Sequence, residues 1–262
     1  MKSLMACIWV ESLKIRRSSI FGLSVFFFLF VSSMMGLLFF VQKHPEIASK
    51  LGMIGTKASM LRLGNADWST YFTLLIQGIA AIGLIGFGFV TSWVFGREYS
   101  DHTVKDILAL PVSRSRIVLS KFLVIVLWCM LLTVIYFAFG LLVGKMIGIT
   151  GWSAEIVYQY AIQYTVTSLL TLLLCTPVAF FASYGRGYLL PVGFIILTMM
   201  VANFSGLVGL GPYFPWAIPG LYSIPAGAEG MHLSAVSYYI LFFTCIAGLF
   251  GTLAWWRYAD QK

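Results

Sequence analysis

The chain has 262 residues, 60% of them apolar and only 10% charged, with a formal net charge of +8. A soluble domain usually carries about 45–50% apolar and about 25% charged residues, so the composition excludes an ordinary soluble domain and points to an all-α polytopic membrane protein. The basic balance is better explained by membrane topology than by nucleic acid, which is not expected as a partner.

Residues 1–17 read as an interfacial helix ahead of the first crossing. Met5, Ile8, Trp9 and Leu13 fall at helical spacing on one side, Glu11 and Lys14 fall roughly opposite, and Arg16 and Arg17 follow as headgroup anchors. The apolar run after them is too long for the h-region of a cleavable signal, and no A-x-A-like site follows. Cutting the chain at its charges leaves uncharged runs at 18–42, 68–96, 122–144, 156–185, 187–228 and 230–256. Each exceeds the ~20 residues that a helix needs to cross the hydrocarbon core.

The first run is span one, and residues 43–67 form a moderately polar outer loop. Span two, 71–95, carries Gln77 and four glycines, Gly78, Gly83, Gly86 and Gly88. Span three, 122–144, ends in Gly140-x-x-x-Gly144-x-x-x-Gly148, a spacing that lets helices approach closely within one chain or across a subunit seam. Span four, 156–183, carries Gln159, Gln163 and Pro177, which is expected to bend it, with neighbours satisfying the freed carbonyls. "SYGRGY" makes a tight turn around Arg186. Span five, 189–208, contains Pro191 and Asn203. Residues 209–234 hold Pro212, Pro215, Pro219 and Pro225, too dense for a lipid-exposed helix. They read as an outer aromatic loop or short re-entrant element. Span six, 235–256, ends in "WWRY", an aromatic and basic interface anchor. Cys7, Cys129, Cys175 and Cys245 have no C-x-x-C spacing and read as small apolar packing residues.

Six crossings put both termini on one side. That side holds Lys2, Lys14, Arg16, Arg17, Arg97, Lys105, Arg114, Arg116, Lys121, Arg186, Arg257 and Lys262, against Lys43, Lys50, Lys57, Arg62 and Lys145 on the other. The positive-inside rule makes the first side cytoplasmic. No predicted span has an ionisable residue near its centre, where an ion-coupled transporter usually keeps one. His44, His102 and His232 are scattered, no H-E-x-x-H and no carboxylate pair suited to metal or glycosyl chemistry occurs, and no G-x-x-x-x-G-K-[ST] is present. No metal site, cofactor or catalytic residue is expected, and a transporter of this kind draws its energy from another subunit.

Segment 96–121 concentrates charge and turn residues between two apolar spans. Thr103 and Asp106 match a capping box. Val104, Ile107 and Leu108 share one face at i, i+3, i+4. Pro111 stops this short helix, and Ser113 can cap the next, which runs through Arg114, Arg116 and Lys121 into span three. The expected product is a short helix whose apolar face docks on a soluble partner.

The order "E…T…ILALPVSRSRI…K", carried by Glu98, Thr103, Ile107 to Pro111, Val112, Ser113, Arg114, Ile117 and Lys121, resembles the loop between spans two and three of ABC-2-type transporter permeases. The sub-type it is most similar to is the compact permeases of bacitracin-export and lantibiotic-immunity systems. Many members have Gly-Thr where this chain has His102-Thr103, so a turn of different shape is expected. The resemblance implies a permease subunit of an ATP-driven exporter in a bacterial cell membrane, with both termini cytoplasmic. A second permease, identical or paralogous, and a cytoplasmic ATPase dimer carrying ATP and Mg²⁺ would complete it, with membrane lipid around it.

The short helix would then be the coupling helix, with Glu98, Thr103, Val104, Asp106, Ile107, Leu108 and Arg114 at the ATPase joint. Gln77, Gln159, Gln163 and Asn203 would line a substrate path at the permease seam, under the outer segment as a lid. The cargo would be an antimicrobial peptide, an antibiotic or another hydrophobic or amphipathic compound. Two other readings stay open: a stand-alone secondary transporter or channel, and a membrane sensory or immunity accessory.

Overall fold

A computed structural model describes residues 2–44, 67–109, 111–224 and 233–259, with the side chains of residues 2, 3 and 108 outside that description. Its helices are α1 (Lys2–Arg16), α2 (Ser19–Lys43), α3 (Trp68–Ser100), α4 (Val104–Leu108), α5 (Arg114–Met146), α6 (Ala154–Leu173), α7 (Cys175–Tyr184), α8 (Leu189–Leu207), α9 (Ile218–Tyr222) and α10 (Ala235–Tyr258). Among the described residues there is no strand, only one isolated bridge between Asp67 and Thr150. Six segments are long and apolar enough to span a membrane: α2, α3, α5, α6 continued by α7, α8 and α10. Each predicted span lies within one of them or overruns it by a single residue.

The spans alternate in direction. At one end, Arg114 at the start of α5 reaches carbonyls at the end of α10, and Trp256 Nε1 donates to Ser183 Oγ at the end of α7 (2.9 Å). At the other, Lys43 Nζ donates to Ile147 O and Gly148 O (3.1 and 2.6 Å), and Trp68 Nε1 donates to Ile149 O (3.0 Å). α1 lies at the first end. α3 and α5 have 33 residues each. At 1.5 Å per residue that is about 50 Å, against a hydrocarbon core of ~30 Å. Both are longer than an untilted crossing needs, and the charged turns Arg97–Ser100 of α3 and Arg114–Lys121 of α5 lie at the α1 end.

α1 breaks from α2 at Arg17 and Ser18. Ser18 caps α2, accepting from Ile20 N (3.1 Å). The outward side of α1 exposes Met5, Trp9 and Val10, whereas Glu11 and Ile15 are buried. The polar stripe thus turns into the protein and the apolar residues face out. Ile8, expected beside Met5 and Trp9, packs on the core instead.

The small-residue row of α5 makes contacts within the chain. A Cβ on Gly140 would meet Leu75, and one on Gly144 would meet Trp68 and Tyr71, all on α3. Gly148 leaves the row: it takes a left-handed φ of +67 and ends α5. Span four breaks at Leu174, three residues before Pro177. Pro177 cannot donate to Leu173 O, and the Thr176 hydroxyl lies 2.9 Å from that carbonyl and 3.0 Å from Cys245 O on α10. α10 packs closely on this kink, since a Cβ on Gly248 would press on the backbone of Thr176 and Pro177. The "WWRY" ending is not all interface anchor. Arg257 and Tyr258 are exposed, but Trp256 is fully buried, edge-on to Phe95 and Tyr99. The four cysteines are free, and Cys129, Cys175 and Cys245 are buried in packing positions.

Candidate functional site

The end of α3 builds the joint to α4. Thr103 N donates to Glu98 O (2.9 Å) and His102 N to Tyr99 O (3.2 Å), the paired bonds of a Schellman ending. Its left-handed position is held by His102, at φ 56. This is the conformation in which glycine costs least, and histidine is among the residues that tolerate it. A non-glycine residue thus makes a Schellman turn here.

The expected capping box of α4 does not form. Thr103 sits at ψ 0, outside the extended region a capping side chain needs, and makes no side-chain cap bond. Its hydroxyl instead donates to Glu98 Oε2 (2.8 Å). Where a Schellman ending usually has an apolar contact between these two positions, this one has a hydrogen bond to a carboxylate. Ser113 begins α5 in extended conformation, also without a side-chain cap bond.

Glu98 in turn anchors a buried cluster of four charges from three helices. Lys121 of α5 is 0% exposed, and its ammonium donates to Glu98 Oε1 (2.8 Å), Glu11 Oε2 (3.2 Å) and Val94 O (3.0 Å). An ammonium has three donors, so all are used. Lys14 of α1 bridges Glu11 Oε1 and Glu98 Oε1, both at 2.8 Å. Two carboxylates face two ammoniums, so the cluster is neutral. Burial opposes the charge on Lys14, but Glu11 and Glu98 outweigh it and raise its pKa above 10.5. The cluster pins α1 to the ends of α3 and α5, at the root of α4. Of its members only Glu98 was assigned to the joint from sequence. The Glu11–Lys14 spacing of i, i+3 hinted at a pair, but the partnership with Lys121 needs three helices to meet.

Val104 of α4 is buried and Ile107 packs on the core, so the face expected to dock on a partner turns inward. Lys105, Asp106 and Ala109 are exposed instead. The expectation for the Leu108 side chain lies outside the described residues. Arg114 is not part of the charge cluster. Its Nη1 donates to Trp256 O and Arg257 O (3.2 and 3.4 Å), tying α5 to the C-terminal carbonyls of α10.

At the opposite end, Gly211–Tyr213 and Pro215–Ala217 form two 3₁₀ turns leading into α9. These turns fold onto α8 and α10; residues 225–232 of the predicted outer segment lie outside the described residues. Gln77 and Asn203 line one cavity of about 360 Å³ between α3, α8 and this segment, beside Trp216 and Leu221. Trp216 Nε1 is a buried donor with no partner among the described residues. Gln163 instead braces α9, donating to Tyr222 O (3.0 Å), and Gln159 stands exposed on α6. The structure thus brings together two of the four polar residues singled out at membrane depth.

Six apolar helices long enough to span a membrane, with a short helix rooted in a charge cluster at one end of them, define a multi-pass membrane protein. Residues 7–203 match the family described as ABC-2 family transporter protein, and the chain belongs to that family. It is similar to the bacitracin transport permease protein BCRB of Bacillus licheniformis, with 29% identity over 152 residues, 58% of this chain and 70% of that relative. No solved structure matches the chain. It is accordingly a transmembrane subunit of the ABC transporter type.

Proposed function

We propose that this chain is the permease of an ATP-driven exporter in a bacterial cell membrane, with both termini in the cytoplasm. Two permeases, identical or paralogous, pair above a cytoplasmic ATPase dimer that holds ATP and Mg²⁺. The cargo is a peptide antibiotic or a similar amphipathic compound, a reading supported by the transport named for the bacitracin relative.

One observation carries the coupling reading: α4 is braced from behind rather than left loose. Its apolar side packs on the core, and the turn that starts it is tied through Thr103 and Glu98 to the charge cluster. A push on the exposed Lys105–Asp106 side therefore reaches α1, α3 and α5 together. Glu98, Thr103, Val104 and Ile107 act as braces, Asp106 as a contact, and Arg114 passes motion to α10. Gln77 and Asn203, with the unpartnered Trp216 Nε1, line the outer part of the cargo path.

Co-expression with the ATPase from the same operon tests this. Asp106→Lys is expected to abolish complex formation and cargo-stimulated ATP hydrolysis while the permease stays folded. An unchanged complex and unchanged stimulation would remove the basis for placing the ATPase at α4.

A further inference from the structure

At the elbow between α1 and α2, facing the end of α3, lies a cavity of about 630 Å³ lined by Lys14, Arg17, Arg97, Asp101, Ser19 and Tyr188 among others. Three cations and one carboxylate line it; Glu11 and Glu98 balance Lys14 within the cluster and Asp101 balances Arg97, so Arg17 supplies the surplus positive charge. Each cation has capacity to spare. Lys14 spends two of its three donors on Glu11 and Glu98. Arg97 pairs with Asp101 through Nε (3.0 Å), which leaves its terminal nitrogens open. Arg17 makes no ion pair among the described residues. The N-terminus of the 25-residue α2 opens at Ser19 and adds positive dipole.

The same flank continues into an apolar groove. Ile20 and Trp93 border the basic cavity. One to two turns deeper, Leu23, Phe27, Ile85 and Phe89 line a second cavity of about 360 Å³. From Ile20 to Phe27 on α2, and from Trp93 to Ile85 on α3, the groove descends about 10–12 Å at the helical rise. Its outer rim is open, with Leu23 54% and Phe26 65% exposed. A cationic cup at the edge of the spans thus shares a helical flank with an apolar groove one to two turns away.

We infer that this elbow is a binding site for an anionic glycerophospholipid, its headgroup phosphate among Lys14, Arg17 and Arg97 and one acyl chain in the α2–α3 groove. Neither half fits another occupant as well. A free anion would leave the groove uncovered, and a zwitterionic headgroup would bring an ammonium into a cup already rich in cations. Because Lys14 also belongs to the buried charge cluster, lipid bound here touches the brace that holds α1 to α3. The site does not depend on which cargo is carried or on where the ATPase docks.

The test uses the purified full-length permease in detergent, with binding followed by native mass spectrometry and thermal stabilisation. Phosphatidylglycerol is expected to bind and stabilise, phosphatidylcholine to do so weakly, and glycerol phosphate not at all at equal concentration. Arg17→Gln is expected to weaken phosphatidylglycerol binding about five-fold, the share of one basic residue at an anionic lipid surface. Arg17 is exposed and unpaired among the described residues, so the variant folds. Ile85→Trp, which fills the groove, is expected to weaken the same lipid with Arg17 intact. Equal retention of both lipids, or indifference to Arg17→Gln, overturns the inference. Stabilisation by glycerol phosphate alone, unaffected by Ile85→Trp, reduces the site to a phosphate pocket and also overturns it.

Discussion

Lys121→Met removes the ammonium at the centre of the charge cluster while keeping an apolar stem of similar length. Lys121 is fully buried, and the change strips three acceptors at 2.8–3.2 Å of their donor. Glu98 and Glu11, with side chains only 3% and 10% exposed, are left to share Lys14, so one negative charge is uncompensated. Removing one partner of a buried ion pair typically costs about 3–5 kcal/mol. The lower figure applies here, because Glu98 keeps Lys14 and the Thr103 hydroxyl. Adding Glu98→Gln restores neutrality, with Glu11 facing Lys14, and preserves the amide oxygen as an acceptor. The double variant is therefore expected to recover more than half of the loss, a coupling measurable by a double-mutant cycle. Unfolding of the purified protein in mixed micelles, followed by tryptophan fluorescence, reads both. If Lys121→Met is as stable as the wild type, or if the double variant is weaker than the single, charge balance does not govern this junction.

Two further substitutions test the backbone around the joint and the kink. His102→Gly is expected to stabilise the protein by about 1 kcal/mol in the same unfolding assay, because a left-handed residue with a Cβ costs about 1–2 kcal/mol and His102 sits at φ 56; a loss of stability would mean that the imidazole, not the turn, is what matters. Gly248→Ala places a methyl 2.6 Å from the Thr176 carbonyl carbon. Overpacking of this kind costs about 1–3 kcal/mol, and here the obstruction is backbone, so the upper figure is expected, read as a lower midpoint of unfolding. Unchanged stability would show that α10 does not seat on the kink of span four.

Periodicity, charge and turn residues carried most of the architecture. The six crossings follow from uncharged runs, and the break before Pro177 follows from a missing backbone donor. The short α4 follows from its place between a turn and Pro111. Each depends on residues within one or two helical turns of one another, which is the range over which a sequence speaks for itself. The same reasoning overreached where one side chain had two possible partners. Thr103 reads as a helix cap, yet Glu98, five residues away around a turn, competes for its hydroxyl and wins. Trp256 reads as an interface anchor, yet the hydroxyl of Ser183 gives its ring nitrogen a buried partner.

Sequence alone thus determined six segments long and apolar enough to cross a membrane, with most of the cations predicted at one end of them, because lipid tolerates neither unpaired backbone nor stray charge. Tertiary structure alone decided what the charges at the membrane edge do. Glu11, Lys14, Glu98 and Lys121 are ordinary surface residues by spacing, and they become a neutral, largely buried cluster only because three helices converge. The apolar side of α4 likewise faces inward because the core offers it contacts that water cannot. Burial and partner choice over separations of 23 to 110 residues are settled by packing, which no local pattern encodes.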